Sequence, residues 1–148
     1  MSDVEQWERN VSPAIRGDAL WKVKAYRLAL YLGDVGWIDV SRLYRDMRTR
    51  SLADQLYRAL GSVGANIAEG YSRGGGRDRV RFYEYALGSA REARHWYHQA
   101  RHVLDEETTA QRIEHLTGVT RLLLTMIPDQ RSTHLREPVA PYDATPPA

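Results

Sequence analysis

A chain of 148 residues, 43% of them hydrophobic and with a formal charge of +2, is long enough for one domain with a core of its own, needing no metals or cross-links. It has no cysteine, which excludes disulfide frameworks, thiolate metal sites and cysteine nucleophiles. No stretch reaches the ~18 apolar residues of a membrane span, and the acidic start Met1-Ser2-Asp3-Val4-Glu5 lacks an apolar leader run, so a soluble cytoplasmic protein without membrane contact is expected.

Residues 1–17 are only weakly periodic, with Trp7, Val11 and Ile15 at four-residue spacing and Pro13 between them, and read as an extension that docks loosely. Asp18 is the expected cap of a first long helix. Trp21, Ala25, Leu28, Leu32 and Val35 follow at spacings of 4, 3, 4 and 3, and the helix is expected to stop near Gly33 or Gly36. Residues 37–50 read as a solvated connector, with a short helix around Leu43, Tyr44 and Met47 as the other option. A second long helix buries Leu52, Leu56, Ala59, Val63 and Ile67 and ends in Asn66-Ile67-Ala68-Glu69-Gly70.

The stretch Gly70-Tyr71-Ser72-Arg73-Gly74-Gly75-Gly76-Arg77 then reads as a loop, because glycine orders at a high entropic cost and enters left-handed conformations freely. Beyond it Tyr83, Ala86, Ala90, Ala93, Tyr97, Ala100 and Leu104 repeat at 3, 4, 3, 4, 3 and 4, the cleanest periodicity in the chain. These alanines, with Gly88 and Ser89 beside them, are expected to face Gly61, Gly64, Ala65 and Ala68 in a close helix contact. Asp105-Glu106-Glu107-Thr108 starts a last helix through Ile113, Leu116, Thr120, Leu123 and Ile127, ending at Pro128. Residues 128–148 form a Pro-rich polar tail that cannot bury enough apolar surface to order itself. The expected fold is all-α, an antiparallel up-down-up-down four-helix bundle over residues 18–127.

The charge is uneven. Residues 42–101 carry a net +6, against −1 before and −3 after. Arg73, Arg77, Arg79 and Arg81 gather at the glycine loop, where free backbone N–H groups and guanidinium forks suit phosphates; a solvated loop with Asp78 and Glu84 pairing some of these arginines fits the same residues. The loop lacks the lysine and the following serine or threonine of a nucleotide-binding P-loop. Asn66 and Glu69, three residues apart, read as structural: Asn66 satisfying loop backbone, Glu69 pairing Arg73 or Arg58. His95, His98 and His102 share a helix face, but surface or interface histidines outweigh a metal site. Trp21, Trp96 and Tyr97 read as core or interface anchors. No catalytic residue, metal or cofactor is expected.

Three segments, Gln55-Leu56-Tyr57-Arg58-Ala59, Asn66-Ile67-Ala68-Glu69-Gly70-Tyr71-Ser72-Arg73 and Ala86-Leu87-Gly88-Ser89-Ala90-Arg91-Glu92, make Leu20 to Ile127 resemble the four-helix bundle proteins also called large-subunit ribosomal RNA intervening-sequence proteins. The resemblance implies a compact bundle in a ring-like homopentamer with no enzymatic activity. A related branch comprises accessory proteins of diversity-generating retroelements, in which a basic pentamer binds nucleic acid and a reverse transcriptase. On this chain Arg58, Arg73, Arg77, Arg79, Arg81 and Arg91 are the expected RNA or DNA contacts, and Asn66, Glu69, Gly70, Gly88 and Ser89 the structural motif. The alternative is a protein-docking adaptor for a reverse transcriptase. The chain departs from the family pattern at Tyr57, where an arginine is usual, at Gly64, where a proline is frequent, and in the longer Gly36–Ser51 segment.

Overall fold

The computed structural model describes residues 1–136, with side chains through residue 130. They form helices α1 (Asp3–Glu8), α2 (Pro13–Arg16), α3 (Lys24–Leu43), α4 (Arg50–Tyr71), α5 (Gly76–Gln99) and α6 (Glu106–Arg136), the last four being long and packed as a bundle. α4 packs against both α3 and α5. Ala29 meets Gly64 and Gly36 meets Leu60; Gly70 meets Tyr83 and Ser62 meets Ser89. α5 packs against α4 and α6 to nearly equal extents, and α3 closes the bundle against α4 and α6. No described helix is long and apolar enough to cross a membrane.

The start of the chain packs more firmly than its weak periodicity suggests. Ser2 and Glu5 close a capping box on α1, each accepting the other's backbone N–H. The Trp7 indole N–H donates to Asp34 at 2.8 Å, and its ring stacks on Trp21 and meets the edge of Tyr31. Glu8 pairs with Arg27 at 3.0 Å, so α1 is fastened to α3 by both polar and aromatic contacts.

Asp18 caps a short 3-10 turn, Ala19–Lys22, by accepting the Leu20 N–H; the long helix itself starts at Lys24. It does not stop at Gly33 or Gly36. At Gly36 a Cβ would run into the Leu60 Cδ1 methyl, so this glycine lets α4 approach α3 closely inside a continuous helix. Nor is 37–50 a solvated connector: Asp39, Val40 and Leu43 are buried on the last turns of α3. Asp46 then caps a second 3-10 turn, Met47–Thr49, and the Thr49 hydroxyl donates to the Leu43 carbonyl at 2.6 Å.

The stripe read along α5 is buried at every position from Tyr83 to Leu104. Leu116, Thr120, Leu123 and Ile127 of α6 are buried too. Pro128 does not end α6, which continues to Arg136. Proline removes one hydrogen bond, to the carbonyl of residue 124, and Leu124 lies on the exposed side, where water can take that carbonyl. The tail expected from 128 thus begins inside the helix, and residues 137–148 lie outside the described part.

The small residues of α4 do not line the α5 contact as expected. A Cβ at Gly61 or Gly88 would meet nothing within 4 Å, and one at Gly64 would touch Ala29 of α3. Gly61, Gly64, Ala65 and Ala68 instead border an open groove of about 280 Å³ between α3 and α4. They flank the Leu56–Leu60–Val63–Ile67 stripe rather than sharing it, so their position on the helix, not their size, decides which neighbour they face. The close approach of α4 to α5 is made by buried Gly70 under the Tyr83 ring.

Candidate nucleic-acid interface

The basic end of the molecule is built where α4 stops and α5 starts. α4 runs on to Tyr71, and only Ser72–Gly75 lie between the two helices. The link makes its turn without any left-handed glycine: among the described residues no glycine has positive φ. The Ser72 N–H and hydroxyl both donate to the Ala68 carbonyl, and Arg79 reaches back from α5, its Nε donating to the Arg73 carbonyl at 2.8 Å and its Nη2 to the Tyr71 carbonyl at 3.2 Å. Arg79 also lies against the Tyr71 ring. Its fork therefore satisfies the backbone at the end of α4, which gives it a structural role there.

Arg73 and Arg81 are placed differently. Arg73 pairs with Glu69 at 3.0 Å across an exposed helix turn, and its guanidinium carbon lies 4.8 Å from the centre of the Phe82 ring. Arg81 approaches the same ring at 5.1 Å and has only a long, 3.8 Å contact to Asp78. Both side chains are about half exposed, at 43% and 57%, and exposed ion pairs of this kind give way readily to a stronger anion. Arg77 is also exposed at this end. Arg58 and Arg91 are exposed too, but they sit well along α4 and α5. At ~1.5 Å per residue each lies roughly 20 Å from the link. The six arginines expected to contact nucleic acid thus do not form one cluster: Arg73, Arg77 and Arg81 share the basic end, Arg79 serves the backbone there, and Arg58 and Arg91 lie apart.

The motif residues have mechanical roles. Asn66 does not serve the loop. Its Nδ2 donates to the Ser62 carbonyl at 2.8 Å and to the Ser62 hydroxyl at 2.9 Å, and the Ser89 hydroxyl donates to that same Ser62 oxygen at 2.9 Å. Asn66 and Ser89 are therefore two ends of one polar link between α4 and α5, which fixes how one helix is set along the other. Glu69 pairs with Arg73 as expected, and Gly70 is the close-approach point.

His95, His98 and His102 do not converge on a metal geometry. Among the described residues no three His, Asp or Glu side chains do. His95 lies edge-on to Trp96, whose indole N–H donates to Glu92. A shallow hollow of about 510 Å³ is bordered by Met1, Glu5, Glu8, Arg9, Arg16 and Trp21; its two carboxylates are engaged by Ser2 and by Arg27.

The residues that the sequence did not reveal are Asp39 and Arg112. Asp39, 1% exposed, accepts Arg112 Nε at 2.7 Å and the Tyr97 hydroxyl at 2.6 Å on one oxygen, and Arg112 Nη2 at 3.2 Å on the other. Burial works against the Arg112 charge, but its bonds to Asp39 outweigh that and raise its pKa further. Tyr97 is held far above the usual phenol range, by burial first and then by the Asp39 charge and hydrogen bond. Beside this group His115 meets the Tyr31 ring edge-on, and burial, then Arg112, push its pKa down. The network joins α3, α5 and α6. Its sequence signal was the 3/4 spacing itself, which continues past Leu32 and Gly36 to Asp39 and Leu43.

A family model for the 23S rRNA-intervening sequence proteins matches residues 23–125. No curated protein matches the sequence. Among solved structures, a crystal structure at 1.70 Å resolution of a protein of unknown function from the S23 ribosomal protein family of Bacteroides thetaiotaomicron VPI-5482 superposes with a TM-score of 0.65. It is 20% identical, over 70% of this chain and 97% of that one, a likeness of fold.

Proposed function

This chain belongs to the 23S rRNA-intervening sequence protein family, and we propose that it is a non-enzymatic cytoplasmic protein that binds RNA or DNA through phosphate contacts. Its four long helices run antiparallel, up-down-up-down, and copies of it join in a ring, a homopentamer. The observation that carries the binding reading is the pair of half-exposed guanidinium groups, Arg73 and Arg81, both held against Phe82 in the middle of a segment carrying a net +6. Such an arrangement neutralises phosphates without reading bases, and a ring repeats it around one assembly so that weak contacts add. The carboxylates around the hollows are already engaged, which favours binding over acid–base chemistry.

Titrating a labelled RNA at several salt concentrations tests this. The logarithm of the affinity is expected to fall with the logarithm of salt by about 0.7–0.9 per phosphate neutralised. Absent or salt-independent binding refutes it. The ring is supported by the open groove between α3 and α4 and by Trp37 and Ile38 near it, 63% and 60% exposed on one helix end. Native mass spectrometry is expected to return five chain masses, and a monomer at micromolar concentration overturns the ring.

One observation favours the adaptor reading. Trp37, Ile38, Tyr44 and Met47 are all exposed apolar side chains on the segment that is longer than the family pattern, a surface suited to a protein partner such as a reverse transcriptase. Tyr44→Ala combined with Met47→Ala separates the two, since it is expected to abolish partner capture by an adaptor while leaving phosphate binding unchanged.

A further inference from the structure

The chain has a single phenylalanine, and it is not in the buried core. Phe82 is half-buried on the first turns of α5, with the Arg73 guanidinium at 4.8 Å and that of Arg81 at 5.1 Å from its centre. Tyr85 meets it edge-on, ring centres 5.8 Å apart and planes at 86°, and is itself 54% exposed. A purely electrostatic phosphate site has no use for an exposed aromatic ring. Tyr85 gains nothing in the fold by facing water, since the core of α5 is filled by Tyr83, Ala86 and Ala90.

We infer that Tyr85, set against Phe82 with the Arg73 and Arg81 guanidiniums on that neighbouring ring, is a stacking platform for an unpaired base, so that the ligand class at this end is single-stranded nucleic acid. The inference rests on the nucleic-acid reading above and narrows it. The geometry supplies both contacts a single strand needs. Arg81 and Tyr85 are four residues apart on α5 and share a helix face, so a base lying on the Tyr85 ring brings its own phosphate towards the Arg81 fork. Phe82, perpendicular to Tyr85, buttresses that ring on one side, while Tyr85 stays 54% exposed to solvent. Arg73 reaches the other side of the cluster from the α4 end and extends the path for the backbone. A duplex keeps its base faces inside its own stack, so it can use the arginines but not the tyrosine.

The test uses the whole protein with a labelled oligouridylate, and with the same strand annealed to oligoadenylate. Wild type is expected to bind the single strand more tightly. Tyr85→Ala is expected to weaken single-strand binding by about 5- to 150-fold, as for removal of one base–aromatic stack, with duplex affinity unchanged. Tyr85→Phe, which keeps the ring, is expected to retain wild-type affinity. Because Tyr85 faces solvent, the fold survives the change, which circular dichroism checks. Equal losses on both ligands, no loss on the single strand, or a lower native mass in Tyr85→Ala overturns the platform. Wild-type binding that is salt-dependent but equal for both ligands refutes the platform while leaving phosphate binding in place. Binding to neither ligand refutes both.

Discussion

Arg112→Ala is expected to cost about 3–5 kcal/mol, because it leaves the Asp39 carboxylate buried with only the Tyr97 hydroxyl to answer it. Against a total stability of about 5–15 kcal/mol for a domain of this kind, that is enough to bring the urea midpoint down by a large part of its range. Tyr97→Phe removes one hydrogen bond to a charged acceptor and is expected to cost less, about 1.5–3 kcal/mol. Arg42, whose 2.9 Å pair with Asp105 is exposed, supplies the contrast: Arg42→Ala is expected to change stability by less than ~1 kcal/mol. Urea unfolding followed by circular dichroism measures all three. A loss below ~1 kcal/mol for Arg112→Ala means that the buried pair does not hold α3 to α6.

The size of that loss is not the net worth of the pair. Burying two charges costs several kcal/mol per ion before their attraction repays it, and well-packed apolar replacements often do as well. Asp39→Leu combined with Arg112→Met is therefore expected to recover most of the stability that Arg112→Ala loses. What such a variant gives up is selection among arrangements. Asp39 on α3, Tyr97 on α5 and Arg112 on α6 meet at a single level of the bundle, whereas alanine-rich stripes can slide past one another at little cost. Together with the Asn66–Ser62–Ser89 link between α4 and α5, the network fixes the long helices in register. The placement of Arg73, Arg81 and Tyr85 at one end follows from that register.

This division explains which parts of the molecule could be read in advance. The α5 stripe was legible because seven positions repeat without a break and each is buried. Gly33 and Gly36 misled, because a glycine costs only ~1 kcal/mol inside a helix, and at Gly36 the close contact with Leu60 offsets it. Pro128 misled for a related reason: one missing hydrogen bond near the wet end of a long helix does not stop it. Asp39 and Arg112 are 73 residues apart, and nothing local to either announces the other. The basic end was legible as charge but not as geometry. Counting arginines does not distinguish Arg79, which serves two carbonyls, from Arg81, which faces outward. Phe82 and Tyr85 escaped notice because their meaning lies in the two guanidinium groups on Phe82, one of which comes from the link after α4.

Gly70 is where fold and candidate site meet, and its substitution is the second large effect expected. A Cβ there would sit 2.7 Å from Tyr83 Cε1, 2.8 Å from Tyr83 Cδ1 and 3.1 Å from Phe82 Cβ. Tyr83 is 2% exposed and cannot swing away, so α5 itself has to move. Gly70 is one residue from the end of α4, so Gly70→Ala recovers little helix propensity and meets overpacking, a loss of about 1–3 kcal/mol. Gly70→Val adds two methyl groups to the same space and is expected to lose ~3 kcal/mol or more. Gly88→Ala, where nothing lies within 4 Å, has only the propensity term and is expected to stabilise the single chain by up to ~1 kcal/mol. Thermal melts of the three variants under one condition decide the matter. The same displacement carries Phe82 away from Arg73, so Gly70→Ala is also expected to weaken RNA binding at temperatures where it remains folded. A Gly70→Ala variant as stable as wild type would mean that α5 can yield at Tyr83, and with it that the geometry of the basic end is not set by this contact.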